Sequence, residues 1–494
     1  SETDRRELLY ALAELEFHRA EQVRGKRARL HFLAASIYAY EFMRNMLTSE
    51  LLVAVDPRFR VAADLYNRGL TSGLASEDGE TVDLSPRVLE LPFGELVLES
   101  GQHELSWGGY RMVDFVPVAE LEVRGLRNRY RTPGIGAPLA ASLEPAALDD
   151  PPPGAGHISR IVRVPATAVV IVDGALEGNG PLVVRGRLEL FTIDDATTAP
   201  VGESEVALEY EPTAALAFGL AESRPWEFGV RGFLSGDFGT ELDRGVRMLI
   251  PYDPDRIPVV FVHGTASHPG RWAEMINHLQ SDPRIMARYQ FWIYQYNTGN
   301  PVAFSAGLFR ESLTELVEEL DPEGDDENLR RMVLVGHSQG GLLAKLCVVE
   351  SRDVFWRNLS RSPFDELDLE PQNRRLLERS LFFDPLPFVS RVIFIATPFR
   401  GSFLADRWYV RFASGMVNLP GEIGDVMYEL FVGDDDQLLL RSLDDMPSSI
   451  EPMAPESPCI AALSGLEPDP RVHTHNLSAV LPGQEIAPEG GDGG

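Results

Sequence analysis

One turn restricts this chain more than any bulk property does. Leu334-Val335 closes an apolar run, Gly336-His337-Ser338-Gln339-Gly340 follows, and Leu342 to Glu350 continues at helical spacing. A Gly-x-Ser-x-Gly segment between a strand and a helix needs small residues around the serine, because the turn is sharp enough to strain its backbone. Gly336 and Gly340 meet that demand, so Ser338 is the candidate nucleophile and Gly336, His337 and Gly340 are its supporting residues.

The pattern around this turn alternates strand and helix. Val259 to Val262, Gln290 to Tyr296, Met332 to Val335 and Val392 to Ala396 are short apolar runs, and Arg271 to Leu279, Ala303 to Leu320 and Leu342 to Glu350 are helical between them. Strands buried on both faces and joined by helices imply a mostly parallel sheet flanked by helices. Two excursions, at about 351–387 and 403–458, exceed ordinary connections and are read as insertions. In the second, Trp408 to Phe431 carries Val410, Phe412, Met416, Val417, Ile423, Val426 and Leu430 at partly helical spacing. That pattern fits a lid over an apolar pocket and core packing equally well.

Upstream the texture differs. Leu8, Leu12 and Leu15, then Leu30, Leu33, Ile37 and Tyr40, then Val61, Leu65 and Leu70 mark the faces of three helices. From Thr81 to about Met248 short β-prone runs are broken by Gly, Pro and Asp, with Thr132 to Gly156 read as an irregular crossing. The expected organisation is a helical segment over 1–78, a β-rich accessory domain over 79–250 without catalytic residues, and a catalytic domain over 251–494.

With 494 residues the chain is long enough for two or three domains. Seventy-five acidic against 45 basic side chains give a formal charge of −30, which opposes binding to nucleic acid or anionic lipid. No apolar run approaches membrane-spanning length. Cys347 and Cys459 lie far apart, and Cys347 follows a helical apolar face, so a buried free thiol is expected. No His, Cys or carboxylate group has metal-ligand spacing, and no cofactor is expected.

Two further runs accompany the serine turn. Phe261-Val262-His263-Gly264-Thr265 ends an apolar strand upstream, and Ile393 to Ser402 contains Thr397-Pro398-Phe399-Arg400-Gly401-Ser402 downstream. Together the three resemble the α/β-hydrolase superfamily, specifically lipase-like serine esterases. Leu121 to Tyr130, Trp272 to Leu279 and Tyr289 to Pro301 look like an uncharacterised group of bacterial hydrolases, often predicted lipoproteins, with a helical N-terminal part and a β-rich middle. The resemblance implies an α/β-hydrolase fold and carboxylic-ester hydrolysis through an acyl-enzyme on Ser338. It also implies backbone N–H donors from Thr265 and Gln339 at an oxyanion hole. The substrate would be a small-molecule or lipid ester, and an upstream lipid anchor would be the route to a membrane in an exported bacterial protein.

Such an enzyme needs an acid and a histidine after the serine. By resemblance the acid is Asp492 of Asp492-Gly493, and the base lies on a loop beyond the last strand, so the sequence is expected to end before it. Among the histidines present, His18, His31, His103 and His157 lie in the accessory parts. His263 and His337 are structural in their motifs, and His268 and His278 precede the serine. His473 and His475 follow it and could serve only with an earlier acid such as Asp384 or Asp406. Acyl transfer or amide cleavage on the same parts, or a binding or scaffold protein of this fold, are alternative readings.

Overall fold

The computed structural model describes residues 2–48, 56–101, 106–119, 121–123, 125–147, 149–159, 163–173, 182–193, 196–222, 244–399 and 458–478. The chain forms two compact units. One comprises Ser1–Pro152 with Arg160–Ser223, the other Pro153–Ser159 with Arg224–Gly494.

The first unit carries helices α1 (Glu2–Gln22), α2 (Lys26–Met46) and α3 (Arg58–Gly73) and strands β1 (Arg87–Leu91), β2 (Gly94–Ser100), β3 (Ser106–Trp107), β4 (Tyr110–Pro117), β5 (Ala137–Pro145), β6 (Val164–Asp173) and β7 (Leu182–Thr192). The strands form one sheet in the order β1-β2-β7-β6-β5-β4-β3. A separate hairpin joins β8 (Thr198–Val201) to β9 (Ser204–Ala207). Leu33, Ile37 and Tyr40 of α2 share a single core with Leu96, Leu98 and Val170 of the sheet. Helices and sheet each present one apolar face and bury it against the other. The Tyr66 hydroxyl both donates to the Val170 carbonyl and accepts from its N–H, at 2.9 Å each.

Three sequence expectations change here. The helical segment and the β-rich part share one core rather than forming separate domains. On α1 the buried positions are Leu9, Ala13, Phe17 and Ala20, while Leu8 and Leu15 are exposed; spacing of i, i+4, i+8 follows a straight helix face as well as the leucines do. Thr132 to Gly156 is not irregular throughout, since Ala137–Pro145 is β5. Its alanines lower the apparent apolarity of the run, but Ala140 packs with Ala214 and Ala215 of α4 (Pro212–Glu222), where small side chains permit close approach.

The second unit is built on an open, mostly parallel sheet. Its strands are β10 (Gly245–Met248), β11 (Ile257–Val262), β12 (Tyr289–Gln295), β13 (Met332–His337), β14 (Val389–Ile395) and β15 (His473–Leu477), in the order β10-β12-β11-β13-β14-β15. All neighbours are parallel except β10 and β12. Helices α5 (Ala273–Gln280), α6 (Val302–Leu320), α7 (Gln339–Leu346), α8 (Pro371–Leu381) and α9 (Pro458–Gly465) lie between the strands in sequence. Every residue of β11 is buried, as a central parallel strand requires.

The expectation that residues up to 250 belong to the accessory domain fails for Gly245–Met248. That strand pairs with β12 in the hydrolase sheet, Val246 opposite Tyr294. The Pro-rich crossing also ends in the second unit, where Ser159 N–H donates to the Met248 carbonyl at 3.0 Å. A run of four residues carries too little periodicity to reveal its partner, and sheet pairing decides it. The proposed lid, Trp408 to Phe431, lies outside the described residues, as does nearly all of the 403–458 insertion.

Candidate active site

Parallel strands aim their carboxyl ends at one edge, and ligands of open α/β sheets bind there. The candidate residues are built on the turns that follow β11, β13 and β14 at that edge. Ser338 stands between β13 and α7 with φ 52° and ψ −123°, a conformation of the left-handed side that L-residues avoid. Two backbone hydrogen bonds hold it. Its N–H donates to the Ile395 carbonyl of β14 at 2.9 Å, and its carbonyl accepts from Gly341 N–H at 3.0 Å.

The glycines show why this turn tolerates no bulk. A methyl on Gly336 would stand 2.5 Å from the Gly340 carbonyl oxygen, and one on Gly340 would run into the carbonyl oxygens of Val262 and His263. A methyl on Gly264 would meet Ser338 Cβ at 2.9 Å, so the turn after β11 touches the candidate nucleophile directly. Side chains connect the same loops: Thr265 Oγ1 donates to Gln339 Oε1 at 2.8 Å. Gln339 is the first residue of α7, where N–H groups have no partner within the helix and the helix dipole favours negative charge.

Backbone strain gathers at this edge. Among the described residues five non-glycines have positive φ, and three of them, Ala266, Ser338 and Ala396, follow β11, β13 and β14. Ala266 is held by its N–H donating to Thr298 Oγ1 at 3.1 Å, and Ala396 by its N–H donating to the Leu477 carbonyl at 2.9 Å. Strained residues persist only where surrounding contacts over-determine them, and they collect at functional sites.

The histidines separate clearly. His263 is buried, stacks on Tyr296 with ring centroids 4.6 Å apart, and donates from Nδ1 to the Gly264 carbonyl at 3.1 Å. Burial pushes its pKa down to about 3, so it stays neutral and braces the turn. His337 lies edge-on to Trp272, and His278 pairs with Glu274 at 3.3 Å. His475 faces Ile393 across the β14–β15 register, level with Val335 and three residues short of Ser338 on β13. Two strand spacings and three rises separate the backbones by roughly 14 Å, beyond the reach of an imidazole to Ser338. His475 is instead bound by the Arg391 guanidinium, and His473 lies further from the edge. Asp384 precedes β14, on the amino side of the sheet. The alternative triad built from His473 or His475 with Asp384 is therefore not assembled. Asp406 and Asp492 lie outside the described residues.

Sequence reasoning missed Thr298 and Tyr296. Tyr296 donates from its hydroxyl to the His263 carbonyl at 2.8 Å, and both residues follow β12 in a loop whose sequence resembles any polar turn. It also missed Lys345, buried on α7 with Nζ donating to the Leu463 carbonyl at 2.8 Å and lying 5.2 Å from the Phe399 ring. Burial lowers that amine to about 8. Cys347 is buried as expected, its thiol pushed up to about 12 by burial. Among the described residues no group of His, Cys, Asp and Glu could hold a metal ion, and no helix is long and apolar enough to cross a membrane.

Residues 259–484 match the family model described as the alpha/beta hydrolase family. The matched stretch lies within the second unit, which has the fold of that family. Solved structures similar to the chain include a mature lipase of Bacillus licheniformis, at 16% identity and a TM-score of 0.25, covering 46% of this chain and 66% of that one. An esterase of Lactobacillus rhamnosis with a bound tributyrin phosphonate shares 11% identity at a TM-score of 0.24, covering 49% and 71%. A thermophilic esterase of Thermogutta terrifontis shares 14% at a TM-score of 0.20, covering 38% and 74%. The chain thus spans just under two thirds of the lipase's length. No curated protein matches it. The fold assignment rests on the family match together with the strand order and the strained serine turn.

Proposed function

We propose that this α/β hydrolase cleaves carboxylic esters through an acyl-enzyme on Ser338. The observation that carries the reading is the strained Ser338 itself, φ 52° at the N-terminus of α7, with Gly264 against its Cβ. A serine in that position exposes Oγ at the carboxyl edge, and backbone N–H groups of Thr265 and Gln339 would receive the negative charge that develops on the ester oxygen. Oγ attacks the ester carbonyl, the alcohol leaves, and water then releases the acid and restores the serine. In this reading Asp492 orients the histidine that takes and returns the proton.

The test is a fluorophosphonate probe with a short-chain aryl ester assay on the full-length protein, including the segment expected to carry the base. Labelling is expected at Ser338, and Ser338→Ala should abolish labelling and lower ester turnover by roughly 10³-fold or more. Absence of labelling, or label on another serine, overturns the assignment. Preference for an added alcohol or an amide over water and ester would move the reaction to acyl transfer or amide cleavage.

A further inference from the structure

We propose that Thr298 is a positioning residue that holds the turn after β11 against Ser338, acting through the side chain of Gln339 and the N–H of Ala266. The inference rests on the ester-hydrolase reading and specifies how its oxyanion donors are kept in place. Three hydrogen bonds close a ring. Thr265 Oγ1 donates to Gln339 Oε1 at 2.8 Å, Gln339 Nε2 donates to the Thr298 carbonyl at 3.4 Å, and Ala266 N–H donates to Thr298 Oγ1 at 3.1 Å. The peptide bond between Thr265 and Ala266 completes it. The orientation of the amide is dictated, because a carbonyl can only accept. Nε2 must therefore face Thr298, which leaves Oε1 for the Thr265 hydroxyl.

The ring spans three loops. Thr265 and Ala266 follow β11, Thr298 follows β12, and Gln339 opens the helix after β13. Gln339 and Thr298 are almost wholly buried, at 0% and 1% exposure, so these bonds are made where losing one leaves a polar group unpaired. The Thr298 loop is itself fixed: Gly299 N–H donates to Asn297 Oδ1 at 2.8 Å and Asn300 N–H to the Asn297 carbonyl at 3.2 Å. Ala266 sits at φ 49°, a left-handed conformation disfavoured for alanine. The hydrogen bond that its N–H donates to Thr298 Oγ1 keeps it there. Without that bond Ala266 relaxes toward ordinary backbone, and the preceding Thr265 moves with it. An oxyanion donor must stand about 2.7–3.1 Å from the developing charge, and displacement of about 1 Å lowers rates by roughly 10²-fold.

The ring is proposed to hold donors for charge that develops in the transition state, so its loss should appear in kcat. Thr298→Val keeps the shape and the carbonyl and removes Oγ1; Thr298→Ser restores the acceptor. With a short-chain aryl ester, Thr298→Val and Gln339→Leu are expected to lower kcat by roughly 10- to 100-fold with KM changed less than about twofold, and Thr298→Ser to stay within about threefold of the parent. Thermal unfolding is followed in parallel. If Thr298→Val does not fold, Thr265→Val against Thr265→Ser decides the same question: a fall restored by serine supports the ring, and equal rates overturn it. Ser338→Ala separates the two levels. If it leaves turnover intact, the ester-hydrolase reading falls. If it abolishes turnover while Thr298→Val and Gln339→Leu keep kcat within twofold, that reading stands and the positioning role of Thr298 is overturned.

Discussion

The two units turn their chains with different residues. Among the described residues of the first unit, eight of nine positions with positive φ are glycines, Gly94 and Gly202 in hairpins among them, and only Asp114 carries a side chain. In the second unit four of seven carry side chains: Ala266, Ser338, Arg352 and Ala396. Glycine relieves left-handed strain wherever the chain merely has to reverse. If Ser338 is the nucleophile proposed above, it cannot be glycine, so the second unit must hold a side chain in that conformation and supply the contacts that keep it there. Three of those four, Ala266, Ser338 and Ala396, follow β11, β13 and β14 at the edge of the candidate site, whereas Arg352 lies outside it.

The sharpest way to break this comparison is Gly340→Ala. Its methyl would run into the Val262 and His263 carbonyls, backbone that cannot yield without moving β11. Probe labelling should be lost and stability reduced by roughly 1–3 kcal/mol or more in thermal unfolding; parent-like labelling would show that the Ser338 turn does not need its tight contact.

His263 sharpens the same point through pH. Its pKa is lowered by burial to about 3 from an ordinary value near 6.5. Below pH 6.5 the unfolded chain takes up a proton that the folded chain refuses, so the contribution of this group is present above 6.5 and is lost as pH falls toward 3. Denaturant unfolding of the parent and of His263→Phe, which keeps a ring against Tyr296, should show the parent losing stability relative to the variant across that window. Parallel curves would remove His263 as a neutral brace.

The smallest effects come from exchanging the two kinds of turn. Gly202→Ala, at φ 66° in the first unit, should lower stability by about 1–2 kcal/mol without changing ester turnover. Ala396→Gly should change stability by less than about 1 kcal/mol, since relief of strain is offset by added freedom in the unfolded chain. It should nonetheless lower kcat severalfold. Equal behaviour of the two substitutions in both assays would erase the distinction between the units.

The sequence alone determined the elements whose signals are local. Continuous apolar runs marked β11, β13 and β14, and Gly336 and Gly340 around Ser338 marked the elbow, because a sharp turn excludes every larger side chain at those positions. Tertiary structure decided what depends on partners. Gly245–Met248 joined the hydrolase sheet by pairing with β12, which four residues cannot announce. Leu8 and Leu15 were left exposed while Leu9 and Phe17 were buried, because a leucine-rich helix offers more than one apolar stripe and the neighbouring helix selects among them. His475 was removed from the reach of Ser338 by strand register, and Thr298 was brought to Gln339 across 41 residues. Register and loop convergence are set by packing between distant segments, and no spacing along the chain encodes them.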